Sequence, residues 1–457
     1  MQEILARTAL TTTGWQENVR IVVGSSGRIE AVTANAADAA SSGAVRVPVL
    51  LPAVANVHSH TFQHAMAGLA ERRGPAGRDS FWTWREVMYG FVDRLVPEDV
   101  EAIAAYAFME MQEAGFSAVA EFHYLHHRPG GAPYEDIGEL SARIAAAAAE
   151  TGIGLVLLPV LYRYGGADRR PLAGGQLRFG NDLDSYARLL ARAEDVLKAL
   201  PADTALGVAP HSLRAARLED LREAAAMRPA GPVHMHIAEQ EAEVEEVQAG
   251  YGARPVAWLL DNLDVDRRWC LVHCTHMEPA ETQRLARSGA VAGLCPVTEA
   301  NLGDGIFDGA RFAGSGGRFG IGTDSNIRIS VSEELRQLEY SQRLRDRVRV
   351  VLAEGDRSAG RFLYDAALAG GAQALGRDTG AIELGRFADL VALDPARLAG
   401  TGRGDGLLDG WVFAGGNDGV TDLWSAGRHV VRAGRHVKRA AIEERYRRRL
   451  SGLLERL

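Results

Sequence analysis

Lysine is nearly absent from this 457-residue chain. Of its 51 basic residues only Lys198 and Lys438 are lysines; the rest are arginines. The bias, like the abundance of alanine and glycine, reads first as a compositional habit of the genome. It leaves almost no candidate for Schiff-base chemistry or for a carboxylated lysine bridging two metals. Cysteine is scarce too. Cys270, Cys274 and Cys295 are an odd set without CxxC spacing, which excludes a disulfide framework and points to a reducing compartment. The opening stretch "MQEILARTALTTTGWQENVRIVV" has no basic segment followed by an apolar core, and no run of about twenty apolar residues occurs. A cytoplasmic location is the expectation. With a formal net charge of −8 and a pI near 5.9, the chain lacks the basic excess of a general nucleic-acid or membrane-surface binder. A local basic pocket for an acidic small molecule remains compatible with it.

The composition, 47% hydrophobic and 24% charged, is that of a globular protein, and the length suits a large barrel with a lesser domain. Both ends read as short strands and turns. "NVRIVVGSSGRIEAV" alternates and breaks at Gly-Ser-Ser-Gly; "GAIELGRFADLVALD" and "GRHVVRAGRHV" read the same way. The middle alternates apolar strand candidates with helical stretches. Eight such strands are predicted, in "VLLPAVANVHSH", "SAVAEFHY", "GLVLLPVLYR", "LGVAPHSL", "VHMHIAEQ", "CLVHCTHM", "VAGLCPV" and "RFGIGTDSN". The intervening "PEDVEAIAAYAFMEMQEAG" opens with residues suited to a helix N-terminus and stops at Gly115. The expected fold is α/β: a (β/α)₈ TIM barrel over residues 51–375. A small β-sandwich domain with a C-terminal helix would be formed by 1–50 and 376–457.

Polar residues gather where these strands end, which is where barrel enzymes keep their chemistry. The first strand ends in His58 and His60, and the extended period of two points both rings to one side. The fourth ends in His211. The fifth carries His236 and then Glu239. The sixth has His273 and His276, and the eighth ends in Asp324. His58, His60, His236 and Asp324 can hold one catalytic metal, with a position left for water. Glu239 would shuttle protons, and His273 with Asp324 would orient and deprotonate the water. For each residue alone the plainer reading is a hydrogen-bonded core or rim side chain. Their order, each at a strand end, is what favours a site. His64, His123, His126, His127, His234 and His276 are read as rim or structural, and His429 and His436 as surface residues.

With these motifs in place, the chain resembles the amidohydrolase superfamily. The missing strand-four lysine places it with the single-metal deaminases. "HSHTFQHAMAGLAERRG", "DSFWTWREVMY", "AEFHYLHH", "APHSLRA", "HMHIAEQ" and "GTDSN" are similar to the formimidoylglutamate deiminases. That resemblance implies zinc or another divalent metal on His58, His60, His236 and Asp324, and catalysis by Glu239, His273 and Asp324. It implies a small dicarboxylate amidine, N-formimino-L-glutamate, bound by Gln63, Arg85, Tyr124, His211 and Arg214. The product would be N-formyl-L-glutamate, in histidine degradation, and the enzyme a homodimer. Arginine forks suit the two carboxylates. A purine, pterin or triazine deaminase is the nearest alternative, and would want a stacking slot and neutral hydrogen bonds. A non-catalytic scaffold of the same fold should have lost ligands, and none is missing.

Overall fold

The computed structural model describes residues 2–36, 43–71, 81–398 and 402–456. The two chain ends meet in one sheet of eight strands. In order across the sheet these are Arg435–His436, Arg428–Arg432, Val420–Ser425, Leu390–Leu393, Val45–Pro52, Gln2–Thr11, Gly14–Val23 and Ile29–Thr33. The join between the ends is the antiparallel pair of Val45–Pro52 with Leu390–Leu393. Period-two alternation sorts this central part into two faces. Leu50, Leu390 and Ala392 pack with Ile4, Ile21 and Trp424 in a core of the sheet's own. Leu51, Val391 and Leu393 belong to the main core of the molecule.

The eight expected barrel strands all occur, running Val54–Ser59, Phe116–His123, Gly154–Leu161, Ala205–Leu206 with Ala209–Pro210, Val233–Ile237, Trp269–His273, Val291–Leu294 and Arg318–Ile321. They pair in parallel. Bridges Val208↔Val233 and Ser59↔Asp324 close the ring. One reading changes. The apolar run 49–60 is two strands in two sheets. Pro52 has no N–H to continue a ladder, and its carbonyl accepts from Tyr364 Oη at 2.6 Å. The next N–H, of Ala53, donates to Asp389, and the barrel strand starts afresh at Val54. The helix Pro97–Glu113 stops before Gly115, whose φ is 104°. No helix among the described residues is long and apolar enough to cross a membrane.

Candidate active site

The end of the last barrel strand lies hard against the first. A Cβ on Gly322 would stand 2.8 Å from both the nitrogen and the oxygen of the His58 backbone. Only glycine lets the two backbones approach so closely, and Thr323 and Asp324 then donate their N–H groups to the His58 carbonyl. That contact brings Asp324 to the His-Ser-His strand end. Asp324 Oδ1 is 3.4 Å from both His58 Nε2 and His60 Nε2. His236 arrives from the fifth strand, and the three Nε2 atoms stand 3.0 to 3.3 Å apart.

Those nitrogens do not satisfy one another. His60 Nδ1 donates to the Phe122 carbonyl at 2.9 Å, and His236 Nδ1 to the His211 carbonyl at 3.3 Å. Each bond fixes the tautomer and leaves Nε2 with a lone pair. The lone pairs face one another and a carboxylate oxygen, an arrangement that a divalent cation relieves. Burial keeps the rings neutral: it pushes His58 down to about 3, and lowers His60 and His236 as well. Burial works the other way on Asp324. The His58 hydrogen bond and the neighbouring imidazoles outweigh it and hold the carboxyl well below the usual range. The donor set therefore fits a metal that takes neutral imidazole and carboxylate.

Around this cluster stand His273 and Glu239. His273 Nε2 is 3.7 Å from Glu239 Oε1 and 3.9 Å from Asp324 Oδ2. Its other nitrogen donates to Glu299 Oε1 at 3.3 Å, and that same oxygen accepts the Cys295 N–H at 2.9 Å. Burial raises Glu239 to about 7 against the pull of His273 and Arg214. Backbone strain concentrates here, with φ of 72° at His273, 46° at Asp324 and 52° at Ala238. Side-chain-bearing residues rarely adopt such values, and each costs on the order of 1–3 kcal/mol.

A narrow cleft opens over the cluster. All five expected substrate residues line it: Gln63, Arg85, Tyr124, His211 and Arg214. Gln63 Nε2 donates to Tyr124 Oη at 2.7 Å. Arg85, on the helix Phe81–Val92, lies with its guanidinium 4.4 Å over the Trp82 ring and makes no ion pair among the described residues. Arg214 is buried, 3.5 Å from Glu239 and 3.7 Å from Glu243, with its Nε unpartnered among the described residues.

A family model described as "Amidohydrolase family" matches residues 49–430. The chain belongs to the amidohydrolase family. A second model, "Formimidoylglutamate deiminase HutF, N-terminal domain", matches residues 1–43. The chain is 52% identical to a formimidoylglutamate deiminase of Pseudomonas aeruginosa, over 95% of this chain and 96% of that one. Among solved structures, an amidohydrolase from Brucella melitensis superposes with a TM-score of 0.94 at 48% identity, covering 99% of this chain and all of that one. An adenosine deaminase from Xanthomonas campestris with bound zinc gives 0.83 at 23% identity, covering 99% and 98%, and speaks for the fold alone.

Sequence reasoning missed several residues of this amidohydrolase cleft. Glu299 and Glu243, the supports of His273 and of the Ala238–Glu239 backbone, are buried acids without a motif of their own. Tyr89, Tyr162 and Phe179 line the cleft from connections between strands. Five of the remaining histidines bond to backbone carbonyls. His64 Nδ1 donates to the Asn326 carbonyl, His126 Nε2 to Val160, His127 Nε2 to Gly180, His234 Nε2 to Ala374 and His276 Nε2 to Asp304. His429 and His436 are not surface residues. His429 stacks on Trp424 at 4.2 Å, and His436 is buried with Nε2 on the Thr151 carbonyl. Within the quoted motif stretches, residues 72–74 and 79–80 lie outside the described residues.

Proposed function

We propose that the chain hydrolyses N-formimino-L-glutamate to N-formyl-L-glutamate and ammonia, a step of histidine degradation. The observation that carries the reading is the union, in one cleft, of the three-imidazole, one-carboxylate cluster with Arg85 and Arg214. The 52% identical relative supports it. His58, His60, His236 and Asp324 would hold one divalent ion, for which zinc suits the donor set best. When bound, it supplies a Lewis acid and lowers the pKa of a water to near neutrality.

The rest falls to the protein's own groups. Arg85 and Arg214 fork onto the two carboxylates, while Gln63, Tyr124 and His211 offer neutral hydrogen bonds. Asp324 takes the water proton as the water oxygen bonds to the formimino carbon. His273, raised against burial to about 10 by Glu239, Glu299 and Asp324, orients that oxygen through Nε2. Glu239 hands a proton to the terminal nitrogen. The carbon–nitrogen bond breaks, ammonia leaves, and the formyl C=O forms as the hydroxyl proton passes to the carboxylate of Glu239. Acid–base help of this kind is typically worth about 10²–10⁴-fold. The three free, buried cysteines support a cytoplasmic setting. A homodimer belongs to the same proposal, and sedimentation velocity decides it.

The test is steady-state ammonia release from N-formimino-L-glutamate, N-formimino-L-aspartate and guanine. Formiminoglutamate should be turned over best. Removing the partner of a buried charge costs about 2–5 kcal/mol. Arg85→Met and Arg214→Met should therefore each lower kcat/KM by tens to thousands of fold, roughly, with the metal retained. Mutants that match the wild type, or guanine as the better substrate, would replace this reading with that of a nucleobase deaminase.

A further inference from the structure

Arg178 is wholly buried, and no carboxylate pairs with it among the described residues. Its guanidinium is spent on backbone carbonyls instead. Nε donates to the His127 carbonyl at 2.7 Å, and Nη1 to the Val92 carbonyl and, at 3.1 Å, to that of Leu95. Nη2 reaches Tyr134 Oη at 3.5 Å. Val92 ends the helix Phe81–Val92, so the cation sits at that helix's negative C-terminus, where its unpaired carbonyls need donors. The Arg178 carbonyl in turn accepts the N–H groups of His126 and His127. One residue thus ties three segments that line the substrate cleft. They are the helix with Trp84, Arg85, Met88 and Tyr89, the connection following Tyr124, and Phe179 beside it in sequence.

A second contact points the same way. Tyr89 of that helix lies directly against Gly175. A Cβ built on Gly175 would stand 2.8 Å from a Tyr89 ring carbon and 3.0 Å from its Cβ. Such distances require one partner to move. Gly175 does not have a positive φ, so an alanine there strains the packing and not the backbone.

We propose that Arg178 and Gly175 are positioning residues for substrate recognition: together they form the post on which the Arg85 helix is docked, and so set where Arg85 stands in the cleft. The proposal rests on Arg85 as a substrate anchor. Neither residue touches the metal cluster, so each should act on substrate affinity and leave the chemistry in place. A displacement of about 1 Å is enough to cost on the order of 10²-fold in a positioned site.

The experiment compares wild type, Arg178→Lys, Gly175→Ala and each of these combined with Arg85→Met. Metal content, kcat and KM for N-formimino-L-glutamate are measured, together with hydrogen–deuterium exchange across residues 81–92 in the free enzyme. Both single variants should keep the metal, hold kcat within about threefold and raise KM by about tenfold or more. Exchange over 81–92 should quicken. In the Arg85→Met background neither should lower kcat/KM further, because the residue they position is gone. A kcat loss at constant KM, or an undiminished effect beside Arg85→Met, overturns the proposal. So does unchanged exchange, or failure of both variants to fold, which would make the post a requirement of the fold. Should the wild type release no ammonia from formiminoglutamate, it is the substrate reading that falls; exchange over 81–92 still decides the docking.

Discussion

Glu239 and Glu299 are two buried carboxylates on opposite nitrogens of one imidazole, and their surroundings give them different work. Glu299 shares one oxygen between His273 Nδ1 and the Cys295 N–H. It is held still, and it fixes His273 with Nε2 facing Asp324 and Glu239. Among the described residues Glu239 has no such backbone anchor; its side chain lines the cleft between His273 and Arg214. Glu239→Gln should accordingly keep the metal and the fold yet lower kcat by about 10²-fold or more. Glu299→Gln retains an oxygen for both donors and should cost less than Glu239→Gln. Both are read from metal analysis and steady-state kinetics of the same preparations. Near-normal turnover by Glu239→Gln would remove it from the mechanism, and loss of metal would make it a ligand.

At the scale of elements, the cluster is made by the meeting of the first and last barrel strands. His58 and His60 are adjacent by strand period, but Asp324 reaches them only because Gly322 lets the eighth strand press on the His58 backbone. The clash an alanine would bring is with backbone atoms, which cannot rotate aside. Gly322→Ala should thus lose metal and activity together, as His58→Ala should by removing a ligand, although Gly322 has no side chain to bind with. Elemental analysis reads both. The wild type should hold one equivalent; two at full activity would bring in His273 and Cys295, which form a second grouping that shares Asp324. A Gly322→Ala protein with full metal and full activity would show that the strand contact is not what assembles the site.

For the whole molecule, the join between barrel and end sheet runs through a buried ionic network. Arg377 spans Asp203 and Asp389 at 2.8–3.1 Å, and Arg428 adds two bonds to Asp203 at 2.6 and 2.8 Å. Asp203 precedes the fourth barrel strand, while Asp389 precedes one strand of the end sheet and Arg428 opens another. Removing one partner strands buried charge. Arg377→Met should destabilise the chain by about 3–5 kcal/mol, seen in the urea midpoint, with the folded fraction still active. Burial alone would raise Asp203, but Arg428 and Arg377 outweigh it and hold its carboxyl below the ordinary value. Its contribution is therefore full at neutral pH and is lost as pH falls through that lowered value. An unchanged urea midpoint for Arg377→Met would deny the network its part in stability.

Local pattern carried much of this. The eight barrel strands and the positions of His58, His60, His211, His236, His273 and Asp324 at their ends were legible because side-chain period and turn chemistry are properties of adjacent residues. The lack of a lysine at the fourth strand was equally plain. Other features depend on which backbone faces which, and that is set by pairing between residues far apart in sequence. The run 49–60 reads as one strand until the end sheet claims its first half. The tautomers of His60 and His236 rest on carbonyls of Phe122 and His211. Glu299 stands 26 residues beyond the histidine it holds. His429 and His436 look exposed until Trp424 and Thr151 cover them. Sequence alone determined which groups stand at the strand ends. Tertiary structure decided what each of them faces, because a contact across the barrel depends on long-range register and close approach, and neither leaves a mark in the neighbouring residues.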